Sequence, residues 1–393
     1  MTTSTTAGSE RLVTPQFAIL MLTGSVYFFG VGGLNSLIPP YIVDELGGSE
    51  TTSGVVMGSF AISALVTRAA FGRTADRHGA RRIIVMGALI AAASMVILLT
   101  TTSVFGAIAA RLVLGAGGAA FMTGATLLSI ELAPEERRSQ AAAFILISFH
   151  AGMGTGPLVA ERVLDATSYA TIWWLIAGLT LAAAAIGMVL HHRPGIADPN
   201  EDPAPLIHPA ALGPGVVTLL GVVAFNGFLM FVPLYAREVG LDDVGIVFAI
   251  ASITIVIARL FFGRVPDIIG PIPAGTYALG LTAFAAVVIS LWASPTGLYV
   301  GAALVAAGLS LQSPSFMKMA VEGVSPRERG SVMATFTAFY DVAGAAVGPM
   351  LGVMIAAFGY RSAFLLTGAC SAVAIVVLWL LVAPAWNQRV AVA

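Results

Sequence analysis

The sequence predicts an all-α membrane protein, with twelve transmembrane helices arranged as two parallel six-helix repeats. Three observations lead there. Of its 393 residues, 58% are hydrophobic and 10% are charged; a soluble domain carries roughly 25% charged residues, so this chain cannot make a water-soluble surface of normal size. Its apolar residues fall in runs long enough to cross a bilayer, which takes about 20 residues each. Several short motifs also recur, in the same order, half a chain apart.

The candidate spans, numbered α1 to α12 in chain order, lie at 17–43, 52–72, 83–101, 105–131, 140–162, 171–190, 212–236, 244–263, 272–292, 296–321, 330–356 and 361–382. Phe17 to Val43 contains no charged residue, and neither does Pro271 to Met317, where Ser294-Pro295-Thr296-Gly297 reads as a turn between two helices. Met1 to Glu10 is polar and Thr-rich without a basic n-region, so α1 reads as a retained helix and not as a signal peptide. His191 to Pro214 is the longest polar stretch, with several prolines and Asp198, Glu201 and Asp202. It reads as a flexible linker, dividing the chain into halves 1–190 and 212–393 with the linker at 191–211.

Orientation follows from basic residues in short loops, which concentrate on the cytoplasmic side. With the N-terminus inside, Arg11, Arg73, Arg77, Arg81, Arg82, Arg137, Arg138, Arg193, Arg264, Arg327, Arg329 and Arg389 all lie inside. Only Arg162, Arg237 and Arg361 lie outside, while Arg68, Arg259 and Lys318 sit near cytoplasmic helix ends. The expected location is the cytoplasmic (inner) membrane with both termini cytoplasmic.

The repeats are explicit. Thr67 to Asp76 matches Ala258 to Asp267 at an offset of 191; Ala133 to Ser139 matches Ser325 to Ser331, and Gly152 to Pro157 matches Gly344 to Pro349, both at 192. Six helices per repeat keep the same orientation, so the repeats are parallel.

At these residues the sequence resembles the major facilitator superfamily, across nearly the whole chain. Gly72-Arg73-Thr74-Ala75-Asp76-Arg77-His78-Gly79-Ala80-Arg81-Arg82 is similar to the family's signature loop between α2 and α3, although Thr74 stands where leucine is usual. Glycines permit a tight turn, and Asp76 can face a helix N-terminus, where negative charge is favoured. The resemblance implies that Gly72, Asp76, Arg77, Gly79 and Arg81, with Gly263 and Asp267 of the second copy, latch the halves together. The plain alternative is a basic loop that only sets topology. Arg111-Leu112-Val113-Leu114-Gly115-Ala116-Gly117 resembles the family's arginine-and-glycine motif, linked to proton coupling. A charge inside the membrane normally faces the protein interior; the alternative is an arginine snorkelling toward the interface. Gly152, Gly156 and Pro157, repeated as Gly344, Gly348 and Pro349, resemble the glycine–proline motif of proton-driven exporters, and equally suit close helix packing.

His150 and Asp341 each lie about ten residues into a span, roughly 15 Å deep and close to the midplane of a 30 Å core. A proton-driven carrier needs an ionisable group that alternates between environments, so Asp341, Arg111 and His150 are the coupling candidates; the bland alternative makes them ordinary packed or paired residues. Asn35, Phe121, Asn226, Phe228 and Gln312 are candidates for a central substrate cavity, although an isolated Asn or Gln more often glues helices.

Other classes are poorly supported. The net charge of −1 offers no footprint for nucleic acid. Cys370, the one cysteine, can form neither an intrachain disulfide nor a metal cluster, and no phosphate-cradling lysine loop is present. No enzyme, cofactor or metal is expected. The expected function is proton-coupled export of a small amphiphilic or apolar compound by alternating access, with protons, the compound and the lipid bilayer as partners and a monomer as the working unit. The alternatives are a proton-coupled uptake symporter for a small metabolite, and a membrane receptor or scaffold that transports nothing.

Overall fold

The computed structural model describes residue 12 and residues 14–191, 207–325 and 328–392. Most of the expected linker lies outside these residues. All regular structure among them is helical.

The first half contains α1 (Pro15–Asp44), α2 (Glu50–His78), α3 (Ala80–Thr100), α4 (Val104–Leu132), α5 (Arg138–Ala166) and α6 (Tyr169–Met188). The second begins with α7 (Pro209–Glu238), α8 (Gly245–Phe262) followed by a short helix (Val265–Ile268), α9 (Pro271–Leu291) and α10 (Pro295–Val321). A continuous helical stretch, Arg329–Val377, is broken at Gly359, whose φ of 78° and ψ of 171° are not helical. It therefore supplies two spans, α11 over 329–358 and α12 over 360–377, completing twelve. Helices begin where a hydroxyl caps them. Thr14, Ser49, Ser103, Ser168 and Ser294 each accept a bond from the backbone N–H three residues on, satisfying one of the orphan donors at a helix start. Ser103 and Ser294 are themselves repeat-related at the offset of 191.

One expectation is corrected. The stretch from Gly72 to Arg82 is not a loop, because α2 stays helical through His78 and α3 starts at Ala80. Only Gly79 turns the chain, with φ at 85°, a conformation that only glycine adopts without strain. Its repeat-mate Gly270 does the same with φ at 88°, whereas Gly263 has ordinary helical angles (φ −58°).

Within the first half, α1 packs on α5 and α6, and α4 on α2 and α3; within the second, α7 packs on α11 and α12, and α10 on α8 and α9. Across the halves, α2 meets α11, α5 meets α8 and α1 meets α7. The scheme is unchanged when the two halves are exchanged, as the parallel repeat requires. Close approach depends on small residues. A Cβ at Gly152 would lie 2.6 Å from the Phe28 carbonyl carbon of α1, and one at Gly352 would lie 2.7 Å from the Thr51 Cα of α2.

Candidate functional site

With an even number of spans both chain termini lie on one side, called here the terminal side; the α1–α2 connection lies on the far side. The halves are closed at the far side. A Cβ at Gly54 of α2 would run into the Gly348 carbonyl of α11. Thr51 Oγ1 donates to the Gly352 carbonyl at 3.0 Å. Arg237 reaches Asp44 at 2.7 Å, and Arg162 reaches Asp243 at 3.4 Å. The backbone N–H of Gly245, the first residue of α8, donates to Glu161 Oε2 of α5 at 2.7 Å, where a helix N-terminus favours a carboxylate. Each of these contacts joins one half to the other.

Deeper in, one bidentate ion pair bridges the halves. Arg68 Nε donates to Asp341 Oδ2 and Nη2 to Oδ1, both at 2.8 Å. Arg68 lies ten residues from the end of α2 and Asp341 twelve from the start of α11, or about 15 and 18 Å at helical rise. They match in depth because α2 extends to His78. Sequence reasoning ended α2 near residue 72, left Arg68 at a helix end and missed the pair; the repetition of Arg68 as Arg259 was the available signal.

Arg111 sits elsewhere. It is buried, donates from Nη1 to Asn35 Oδ1 at 2.8 Å and lies over the Phe60 ring at 5.0 Å. Asn35 also donates to Met153 Sδ at 3.7 Å, so Asn35 links α4, α1 and α5. The cation beside Asp341 is thus Arg68, and Arg111 serves an amide. His150 is 6% exposed and touches Phe149 edge-on. It lines an inter-half pocket with Met153, Phe225, Leu229, Phe248 and Ser252.

The expected cavity residues are dispersed. Phe121 is fully buried in the first half, stacked on Tyr27 with centroids 3.8 Å apart. Phe228 is fully buried beside Phe248, and Asn226 is partly buried on α7. Gln312 of α10 is buried against Gly221 of α7, with neither amide atom hydrogen-bonded. Gly152 and Gly156 pack against α1 of their own half, whereas Gly344 and Gly348 pack against α2 of the other half; Pro157 and Pro349 lie inside α5 and α11. Around the α2–α3 junction, Arg81 donates to the Leu190 carbonyl at 3.3 Å, Asp76 and Arg77 are exposed on the terminal side, and Asp267 pairs with Lys318 at 2.8 Å. No cluster of three potential metal ligands occurs among the described residues.

A family model described as Major Facilitator Superfamily matches residues 20–342 and 216–391. An uncharacterised MFS-type transporter of Salmonella typhimurium is 29% identical over 367 residues, covering 88% of this chain and 91% of the relative. One from Burkholderia pseudomallei is 26% identical over 372 residues, covering 89% and 86%. Among solved structures, a POT family transporter in complex with 5-aminolevulinic acid aligns with a TM-score of 0.81 at 13% identity, covering 94% of this chain and 96% of that one.

Proposed function

This chain belongs to the Major Facilitator Superfamily, a multi-pass membrane transporter and not an enzyme, and we propose that it exports a small amphiphilic compound in exchange for protons. The Arg68–Asp341 pair carries the reading. It is a carboxylate–guanidinium contact between two bodies that must separate for access to alternate, and it lies about 15–18 Å from the terminal-side helix ends. A buried carboxylate can exchange a partner cation for a proton. With the far side closed, Asp341 is ionised and held by Arg68. Opening of the far side pulls α2 from α11, and Asp341 takes up a proton there. Return to the closed-outside state restores Arg68 as partner and releases the proton on the terminal side, which the arginine distribution assigns to the cytoplasm of a bacterial-type inner membrane. The protein acts as a monomer in this scheme, since both halves come from one chain. His150, in the wall of the inter-half pocket, and Arg111, which braces α4 on α1, are coupling candidates of second rank. The α2–α3 junction around Asp76 and its copy at Asp267 act as the latch on the terminal side when that side closes.

The test is proton movement in proteoliposomes. Asp341→Asn is expected to abolish accumulation driven by a pH gradient while keeping substrate exchange down its own gradient. Arg68→Gln should shift the pH dependence of accumulation. Full gradient-driven accumulation by Asp341→Asn would reject the assignment, and protons moving in the same direction as the substrate would replace export with uptake symport.

A further inference from the structure

Deep in the interface between the halves, Arg68 is paired and the arginine at the equivalent place has no partner among the described residues. Arg68 and Arg259 match in the repeated motif at the offset of 191. Their surroundings match as well, because α2 faces α11 across the interface and α8 faces α5. Opposite Arg68 stands Asp341. The corresponding positions on α5 are Phe149 and His150, at offsets of 192 and 191, and neither is a carboxylate. Arg259 has no ion pair or hydrogen bond among the described residues, and its Nε is shut away from solvent with no acceptor. It lies within electrostatic range of His150 on α5 and of Tyr340 on α11.

Arg259 lies one helical turn beyond Ile255, which lines a narrow apolar cleft of about 10 Å³ between the halves. Ser252, Ile255 and Arg259 are spaced by three and four residues along α8, so they share one face. Ser252 and Ile255 of that face enclose the inter-half pocket with Phe149, His150, Phe225 and Leu229. Counted from the end of the short helix at Ile268, Arg259 is nine residues in, about 14 Å at helical rise and close to the depth of Arg68. An unpaired guanidinium at that depth is costly, and its planar fork fits a carboxylate, sulfonate or phosphate in bidentate fashion.

We propose that Arg259 binds the anionic group of the transported compound between the two halves, so that the substrates are amphiphilic organic anions. This rests on the export reading above and adds the substrate's charge to it. The anion supplies from outside the protein what Asp341 supplies to Arg68 from within.

The experiment measures equilibrium binding to the purified chain in neutral detergent, where no proton gradient exists, so it is independent of coupling. The probes are radiolabelled 2-naphthoate and dodecanoate, each paired with its neutral amide. At least one acid is expected to bind about tenfold more tightly than its amide, a difference of about 1.4 kcal/mol. Arg259→Gln should bring the two affinities within twofold of each other. His150→Asp, which places a carboxylate opposite Arg259 and keeps the arginine, should do the same, and it decides the matter if Arg259→Gln does not fold. Acid preference that survives in His150→Asp, or is absent from the unaltered protein, would overturn the proposal. Repeating the titration in phosphatidylcholine and phosphatidylglycerol nanodiscs separates the two sources of anion. Preference kept in both supports a transported anion; preference lost only in phosphatidylglycerol assigns Arg259 to a lipid headgroup and rejects the substrate role. A charge preference without proton exchange in liposomes would keep this inference and remove the coupling scheme.

Discussion

Arg68, Arg111 and Arg259 inside the bundle differ in what they meet, and the differences set their chemistry. Arg68 has a carboxylate on the other half, which can be lost when the halves part. Arg111 has the Asn35 amide and the Phe60 ring, both in its own half, so parting of the halves does not by itself break its contacts. Arg259 has neither. The neutral partner of Arg111 makes a sharp expectation, because leaving a buried donor without its acceptor costs about 1–3 kcal/mol, and more when the donor is charged. Asn35→Ala should therefore lower the melting temperature by several degrees. Asn35→Asp, which turns the contact into an ion pair, should lower it less or raise it. Equal melting of Asn35→Ala and the unaltered chain in a thermal scan would mean that Arg111 finds water or lipid instead of Asn35.

At the scale of helices, the glycines of the signature stretch divide by backbone geometry. Gly79 turns between α2 and α3 at a φ of 85°, so a side chain there is strained. Gly72 lies within α2, where an added Cβ would have no neighbour within 4 Å. Gly79→Ala should cost about 1–3 kcal/mol, because a positive φ with an extended ψ is open essentially only to glycine. Gly72→Ala should gain about 0.5–1 kcal/mol, since alanine is the better helix former. Thermal unfolding of the two variants in the same detergent checks the contrast, and destabilisation by both to the same degree would show that Gly72 meets a neighbour in another conformation. The repeat-mate pair Gly263 and Gly270 divides the same way, since only Gly270 has positive φ.

Taken whole, the molecule is two six-helix bodies closed at the far side by small residues and by ion pairs near the surface, contacts that release at modest cost. Exposed ion pairs are worth roughly 0–1 kcal/mol each, so Asp44–Arg237 and Arg162–Asp243 guide closure more than they enforce it. Cysteines replacing Asp44 and Arg237, in a chain with Cys370→Ser, should be joined by a short bifunctional maleimide, and the linked protein should not transport. Activity should return when a cleavable linker is reduced. Undiminished transport by the linked protein would show that the far side need not open.

The span count, the two halves, the turn glycine Gly79 and the repeated arginine motif were all legible in the residues. The helix end at His78 was not, since Gly72, Arg73 and Asp76 look like loop residues yet continue α2. The roles of Asn35, Phe121, Phe228 and Gln312 were equally hidden, because helices apolar on every face give no sign of which face meets the interior. Sequence by itself determined how many times the chain crosses the membrane and that its halves are repeats, because hydropathy, charge and spacing are summed locally along the chain. Tertiary structure decided that Asp341 takes Arg68 and that Arg111 takes Asn35, since those partners lie 273 and 76 residues apart. It also left Arg259 without an anion, because helix rotation and the depth of each side chain are fixed only when the two halves pack against each other.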